Sequence, residues 1–249
     1  MSGHSKWSTI KHKKAATDAK RGKVFTRLAK EVTLAAREGG GDMATNVRLR
    51  LAVDKAKAGN MPKDNIERAI KRGTGELEGG ELEEIMYEGY APHGVGVIIE
   101  VVTDNRNRAI AEVRHAFNKQ GGNLAESGAV AWQFNRKGYI SITDEFDQDE
   151  VFLTAADSGA DDVRFEDSMA EIFTELDDLQ GVRRALLDYG YGLKEVSVIY
   201  DPSNTIELEA AAAIQVMRLV EALEDLDDVQ NVYTALEISD DALVALEAA

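Results

Sequence analysis

Apolar residues recur at helical spacing in the first third of the chain. Phe25, Leu28, Val32 and Ala35 follow one another every three or four residues within the stretch 18–37. At about 100° per residue they fall on one side of a helix, and the lysines and arginines of the same stretch fall on the other. The pattern predicts an amphipathic helix with a basic face.

Two shorter helices are predicted to follow. Three glycines at 39–41 end the first helix, and apolar residues at helical spacing resume at about Thr45. Pro62 suits the first turn of a third helix, which Gly73 closes. The sequence therefore predicts a small helical domain over residues 1–78, with a basic leader in front of it.

Beyond a Gly- and Glu-rich stretch at 74–84, which is predicted to be a linker, short apolar runs alternate with helical patterns. The first predicted set is a strand at 95–103, a helix at 107–120 and strands at 123–127 and 130–134. The second set is a strand at 138–142, a helix at 149–157, strands at 162–165 and 170–173, a helix at 179–189 and a strand at 195–200. The second set is a complete β-α-β-β-α-β unit, which is the ferredoxin-like pattern.

Compared with a complete ferredoxin-like unit, the first set lacks one helix and one strand. A helix is predicted after Pro202, and a strand is predicted at 229–238. The predicted fold class is therefore α+β, with an N-terminal all-helical domain plus two ferredoxin-like α/β modules, one inserted in the other. The predicted domains are a basic helical domain at 1–78, a ferredoxin-like domain at 79–134 with 206–249, and an inserted ferredoxin-like domain at 135–205.

Charge is unevenly distributed along the chain. The net charge is -16, yet residues 1–80 carry 18 Lys and Arg against 9 Asp and Glu, whereas residues 81–249 carry 11 against 36. Such asymmetry is typical of a segment that binds a polyanion, joined to a body that repels it. The expected partner is nucleic acid.

Several other classes of protein are disfavoured. The chain has no cysteine and four scattered histidines, so neither a metal site nor a nucleophile with its base is visible, and we expect no enzyme, cofactor or metal. The apolar stretch 95–102 is too short to span a bilayer. No membrane association and a cytoplasmic location are expected.

Motifs along the whole chain resemble the YebC/PmpR family. They are Gly3-His4-Ser5-Lys6-Trp7, Ile10-Lys11-His12-Lys13-Lys14-Ala15-Ala16, Asp18-Ala19-Lys20-Arg21-Gly22-Lys23, Met61-Pro62, Tyr87-Glu88-Gly89-Tyr90, Asp104-Asn105-Arg106-Asn107-Arg108, Glu112-Val113-Arg114-His115-Ala116-Phe117 and Gly121-Gly122-Asn123-Leu124. The resemblance implies a helical domain plus two α/β domains. It also implies regulation of gene expression, since family members are described as DNA-binding transcriptional regulators, and related members act on translation at the ribosome.

The candidate nucleic-acid-binding residues are basic side chains with one interleaved aromatic, because lysines neutralise phosphates and an indole face can stack on an unpaired base. They are Lys6, Trp7, Lys11, His12, Lys13, Lys14, Lys20, Arg21, Lys23, Arg27 and Lys30. Secondary candidates are Arg48, Lys55, Lys57, Lys63, Arg106 and Arg108. The alternatives are a solvated tail, a Trp7 that packs on the helical domain, and a helix start at 104–108 capped by an asparagine.

Three functions remain open from the sequence. In the first, the basic domain binds ribosomal RNA or messenger RNA to support translation, with the ribosome as a candidate partner. The second is a transcriptional regulator that binds duplex DNA through the same residues, and the third is a protein–protein adaptor. No helix-turn-helix, zinc-finger or RNA-recognition signature is visible, so no base-specific readout is indicated. The absence of a motif that reads a duplex groove, and the basic tail with its tryptophan, favour the first function. The oligomeric state is left open.

Overall fold

The computed structural model describes residues 18–143, 145–166, 168–239 and 242–244. The chain divides into a larger unit, Met1–Phe134 with Pro202–Ala249, and a smaller unit, Asn135–Asp201. In chain order the elements are α1 (Asp18–Gly39), α2 (Val47–Ala58), α3 (Lys63–Gly73), β1 (Glu83–Tyr90), β2 (Gly96–Thr103), α4 (Arg106–Lys119), β3 (Asn123–Ala125), β4 (Phe134–Ile142), α5 (Gln148–Asp157), β5 (Ala160–Glu166), β6 (Met169–Thr174), α6 (Leu179–Tyr189), β7 (Leu193–Pro202), β8 (Ile206–Glu207), α7 (Ala210–Glu224), β9 (Val229–Thr234) and β10 (Leu236–Glu237).

The three predicted N-terminal helices form around one apolar core. Leu28, Val32 and Ala35 of α1 are buried against Leu49 and Val53 of α2, and α3 adds its own apolar side chains. The core residues are those that the helical spacing placed on one face. A separate domain boundary at residue 78 stays a prediction, because α1–α3 belong to the same unit as the first sheet.

One buried asparagine joins α1 to α2. The Asn46 carboxamide nitrogen donates to the carbonyls of Ala35 at 2.7 Å and Gly40 at 2.8 Å. Its oxygen accepts from the Leu49 amide at 2.9 Å, so the same side chain caps α2. The bond to the Leu49 amide satisfies one of the backbone groups that the start of a helix leaves unpaired.

Gly73 lies where α3 packs tightly against α1. A Cβ there would lie 2.3 Å from the Thr33 carbonyl oxygen and 2.6 Å from Ala36 Cβ. We expect Gly73→Ala to lower the free energy of unfolding by about 1–2 kcal/mol, because the helices must separate. Urea denaturation measures this effect. Gly22→Ala is the matched control, since no neighbouring atom lies within 4 Å of a Cβ there, and an equal loss in both variants would contradict the packing argument.

The larger unit contains a four-stranded antiparallel sheet in the order β3-β1-β2-β9. Helix α4 buries Val113 and Phe117, and α7 buries Val216, Met217 and Val220. In the smaller unit the order is β5-β6-β4-β7, and α5 and α6 contribute to the core beside that sheet. The fold class predicted from the sequence, α+β with one module inserted in the other, is confirmed.

The sequence prediction was wrong about one strand of the first sheet. Residues 130–134 were expected to form it, but the chain makes a 3-10 turn at Ala131–Gln133, and β4 begins only at Phe134. In the second sheet β6 lies beside β4. In the first sheet the corresponding place beside β2 is taken by β1, whose first residues belong to the stretch that was predicted to be a linker. The first module therefore has the ferredoxin-like strand order with one strand moved to the front of the chain.

A buried carboxylate explains why residues 130–134 form no strand. Glu88 of β1 accepts hydrogen bonds from the backbone amides of Gly128 at 2.7 Å, Val130 at 2.6 Å and Ala131 at 2.7 Å. These amides are thus not available to a neighbouring strand. The same buried glutamate interrupts the polar–apolar alternation by which β1 would be recognised in the sequence.

The strand predicted at 229–238 is divided in two. β9 ends at Thr234, whose hydroxyl oxygen accepts from the Leu236 amide at 3.1 Å. β10 then pairs in parallel with β8, which the sequence did not predict. A side chain that accepts a local backbone bond interrupts the sheet ladder at this point.

Candidate nucleic-acid interface

Most of the predicted basic leader lies outside the described residues. These residues are Lys6, Trp7, Lys11, His12, Lys13 and Lys14. Lys20 and Arg21 belong to α1, but their side chains are likewise outside the description. Contact of the leader with nucleic acid stays a prediction.

The basic face of α1 lies against an acidic segment of its own chain, residues 224–228. Lys23 donates to the Asp225 carbonyl at 2.8 Å, and Arg27 donates to the Glu224 carbonyl. Lys30 donates to the Asp227 carbonyl at 3.1 Å. The sequence favoured a face turned to nucleic acid or solvent. The structure instead places it at the C-terminal end of α7, where helix carbonyls and acidic side chains attract cations.

Asp228 is the centre of this contact. Its side chain is 4% exposed and receives Lys30 at 2.5 Å and Arg108 at 2.8 Å. The Thr103 hydroxyl also donates to it, at 2.8 Å. Burial by itself would raise the pKa of Asp228, but the hydrogen bonds from Lys30, Arg108 and Thr103 hold that pKa below its ordinary value. Arg108, a secondary candidate for RNA contact, is thus engaged inside the larger unit.

The remaining secondary candidates are near acidic or aromatic neighbours. Arg48 pairs with Glu84 at 3.0 Å and also with Glu38. Each of the three lysines pairs with one acid: Lys55 with Glu31 at 3.1 Å, Lys57 with Asp54 at 3.8 Å and Lys63 with Glu67 at 3.6 Å. The charge of Arg106 acts on the buried Tyr87 hydroxyl. Exposed pairs of this kind contribute at most about 1 kcal/mol. Lys57 and Lys63 therefore remain accessible to a phosphate.

A groove of about 550 Å³ opens between α1, α3 and the segment that precedes β1. Three cations line it, Lys30 from α1 and Arg68 and Arg72 from α3. Phe25 and Met61 give it apolar surface as well. The groove thus combines positive charge with surface on which a planar ring can lie.

Arg68 and Arg72 were not among the predicted binding residues. They lie one turn apart on α3, so both guanidinium groups project from one side of the helix. Both are exposed, and neither has an ion-pair partner among the described residues. The signal in the sequence was their i, i+4 spacing on the side of α3 away from Ile66 and Ala69, which the structure buries.

The groove also contains acidic groups. Glu78 and Asp104 line it together with the cations. Asp104 pairs with Arg108 at 2.9 Å. A bound molecule would therefore meet both hydrogen-bond donors and carboxylate acceptors, which suits a nucleotide better than a bare phosphate.

The described part of the chain shows neither a cluster of metal-ligating side chains nor a membrane-spanning helix. Nowhere in it do three or more His, Asp or Glu side chains come close enough together to hold a metal ion. None of its helices is long and apolar enough to cross a membrane.

The fold and the groove define an α+β protein in which a basic helical segment is attached to acidic α/β modules. The chain belongs to the TACO1/YebC family. The model of that family's N-terminal domain matches residues 5–76, and the model of its second and third domain matches residues 82–236. The family resemblance found in the sequence is confirmed.

Relatives match over almost the whole chain. A "Probable transcriptional regulatory protein" of Desulfatibacillum aliphaticivorans is 54% identical over 98% of this chain and 99% of its own length. A protein of the same description from Acidithiobacillus ferrooxidans is 53% identical over 100% and 99%. The crystal structure of a conserved hypothetical protein from Aquifex aeolicus is 44% identical, with a TM-score of 0.84 over 90% of this chain and 93% of that one. The curated relatives are thus named as regulators and not as enzymes.

Proposed function

We propose that this protein is a non-enzymatic, nucleic-acid-binding regulator of gene expression that binds RNA through its N-terminal helices. The observation that carries the proposal is the groove between α1 and α3, where Arg68 and Arg72 have no ion-pair partner among the described residues. The basic leader adds positive charge to the same N-terminal segment of the sequence. The names of the relatives support a regulatory role.

The dimensions of the groove favour unpaired RNA. A volume of about 550 Å³ is of the order that holds one small ligand or nucleotide, whereas a duplex keeps its bases stacked inside. Sequence-specific RNA recognition usually takes splayed-out bases from single-stranded loops. In this proposal an unpaired base lies against Phe25 and Met61, while Arg68 and Arg72 contact the phosphates.

We expect the double substitution Arg68→Ala/Arg72→Ala to weaken binding of single-stranded RNA by about 10- to 30-fold in fluorescence anisotropy titrations. The slope of log K against log salt should fall by about 1.4, since each phosphate contact with a single strand contributes about 0.7. Arg184→Ala/Lys194→Ala is the matched control, because it removes the same charge from exposed positions of the smaller unit. Equal RNA affinity of wild type and the α3 variant would remove the groove from the proposal.

Translation is the favoured process within this proposal. Crosslinking in cells followed by sedimentation tests it, with wild type compared with Arg68→Ala/Arg72→Ala and with Lys11, Lys13 and Lys14 all changed to Glu. We expect the wild type to travel with ribosomes and to crosslink ribosomal RNA, and the variants to do so less. Crosslinks to discrete DNA sites, without ribosome association, would support transcription instead.

One observation keeps duplex DNA as a second candidate. Four residues, 59–62, join α2 to α3, and they include Gly59, which is the type of connection found in helix-turn-helix proteins. In that mode the start of α3 would enter the major groove. Asp64 and Glu67 lie there and would repel phosphates, so RNA is favoured. Duplex DNA bound more tightly than RNA in the same titrations would reverse this preference.

A further inference from the structure

Helix α4 differs in charge from the rest of its module. Residues 81–134 and 202–249 together carry five Lys and Arg against 19 Asp and Glu. Four of those five cations, all but Arg218, lie on α4 as Arg106, Arg108, Arg114 and Lys119. The helix has one acid, Glu112. An acidic module thus concentrates its positive charge on a single helix.

Four polar residues and one alanine form a continuous stripe along the exposed side of α4. Asn107, Ala111, Arg114, His115 and Asn118 are all exposed and are spaced by four, three, one and three residues, which puts them on one face. The stripe is about 16 Å long at 1.5 Å per residue. The side chains on the opposite face are the buried ones, which belong to the core of the larger unit.

Only part of the positive charge of α4 is accounted for by contacts within the larger unit. Arg108 is bound to Asp228, but Arg114 and Lys119 have no ion pair, and His115 no hydrogen bond, within the described ranges. Lys119 lies in the last turn, where it stabilises the helix dipole. Arg114 and His115 lie before the last turn and lack even this explanation.

We infer that the exposed face of α4 is a second RNA-binding surface, which contacts the sugar-phosphate backbone of the RNA that the groove holds. This inference rests on the proposed function and adds to it a contact outside the helical segment. Arg114 offers a planar fork of donors that matches a phosphate, and Asn107 and Asn118 offer donors and acceptors to phosphates or 2′-hydroxyls. The small side chain of Ala111, in the middle of the stripe, lets a backbone approach.

Charge complementarity favours an RNA backbone as the molecule that binds this face. A phosphate backbone is the polyanion that the proposed function already requires. Arg114 and Lys119 offer it positive charge on a module that otherwise carries an excess of acidic residues and repels it. The acidic surface of a second copy of this chain would also be attracted, but it would produce self-association that rises with protein concentration. The two occupants therefore predict different measurements.

The test uses the full chain with Arg114→Ala, His115→Ala and Lys119→Ala combined. Two single-stranded RNA probes are titrated, one of about 4 nucleotides, which fits the groove only, and one of about 24, which reaches beyond it. We expect affinity for the long probe to fall about 5- to 20-fold and its salt slope to fall by about 1.4 to 2. Affinity for the short probe should not change. Arg184→Ala/Lys194→Ala controls for the loss of charge, and circular dichroism with urea denaturation checks folding.

Each other outcome is decisive. If the long probe binds unchanged to the α4 variant but weakly to Arg68→Ala/Arg72→Ala, the α4 surface is not an RNA contact and the proposed function stands. If neither variant changes RNA affinity, both the groove and the α4 surface are excluded as RNA contacts, and if the wild type binds neither probe, the proposed function fails. If the α4 variant alters only the concentration dependence of sedimentation, the face joins two copies of the chain and the inference is overturned.

Discussion

Asp228→Asn is expected to lower the free energy of unfolding by about 3 kcal/mol, because it leaves two cations without their buried counter-charge. Lys30 is 16% exposed and Arg108 is 45% exposed, whereas the carboxylate that joins them is 4% exposed. Lys30 has little access to water after the change, while Arg108 can turn toward solvent and keep its pair with Asp104. The loss should therefore lie at the lower end for buried pairs.

Urea denaturation at neutral pH measures this loss, and Asp225→Asn is the matched control. Asp225 belongs to the same acidic segment, but its side chain is exposed and only its carbonyl binds Lys23. Asp225→Asn should lower the free energy of unfolding by less than about 0.5 kcal/mol. A similar cost for both substitutions would show that Asp228 acts only through general charge.

The effect of Asp228→Asn should depend on pH in a defined direction. The pKa of Asp228 is lowered in the folded protein, so the group stabilises the fold above its unfolded pKa of about 3.9. That stabilisation is lost as pH falls through the lower, folded pKa. The difference in free energy of unfolding between wild type and variant should thus have its full value at pH 7 and become smaller at acid pH.

Glu88→Gln is expected to lower the free energy of unfolding by about 2–3 kcal/mol, because a neutral carboxamide replaces a carboxylate that accepts three backbone hydrogen bonds. Burial by itself would raise the pKa of Glu88, but the amides of Gly128, Val130 and Ala131 hold that pKa below its ordinary value. The carboxamide oxygen keeps two acceptor sites, whereas its NH₂ group can only donate. At least one amide of the loop then loses its partner.

Hydrogen exchange locates the effect of Glu88→Gln. The amides of Gly128, Val130 and Ala131 should exchange faster in the variant, while those in the middle of β2 should change less. Glu126→Gln is the control, since Glu126 lies in the same loop with an exposed side chain. Unchanged protection of the three amides would contradict the assigned role of Glu88.

The same loop determines the exposure of Trp132. Its indole is 73% exposed, and its N–H donates to the Ala129 carbonyl at 3.0 Å. The Tyr90 hydroxyl donates to that carbonyl too, at 2.9 Å. In a Trp7→Phe background, the fluorescence of Trp132 should report loosening of the loop in Glu88→Gln.

Local patterns in the sequence predicted the elements whose burial follows a regular period. Helix α6 has the predicted bounds, Leu179–Tyr189, and the apolar positions of α1 form the core of the three-helix segment. Both helices pack through one apolar face, and a face of this kind repeats every 3.6 residues whatever its partner is. The family was equally visible, because its motifs are local.

Elements that depend on distant partners were not predictable in this way. β1 was missed because Glu88 and Gly89 do not follow strand periodicity. Glu88 is required by the loop amides to which it is hydrogen-bonded. Gly89 is required because the Phe117 ring lies 2.5 Å from the place that a Cβ would take. Residues 130–134 were predicted as a strand for the converse reason. Their composition suits a strand, but the amides of Val130 and Ala131 donate hydrogen bonds to Glu88.

The sequence by itself determined the α+β class, the inserted module, the family and the unequal charge of the two parts of the chain. Only the tertiary structure decided which cations are engaged and which are available. Lys30 and Asp228, 198 residues apart in the chain, form a half-buried ion pair, whereas Arg68, Arg72 and Arg114 have none within the described ranges. Helical spacing determines the side of a helix on which a charge lies, but whether that charge meets an opposite one depends on which surfaces the fold brings together.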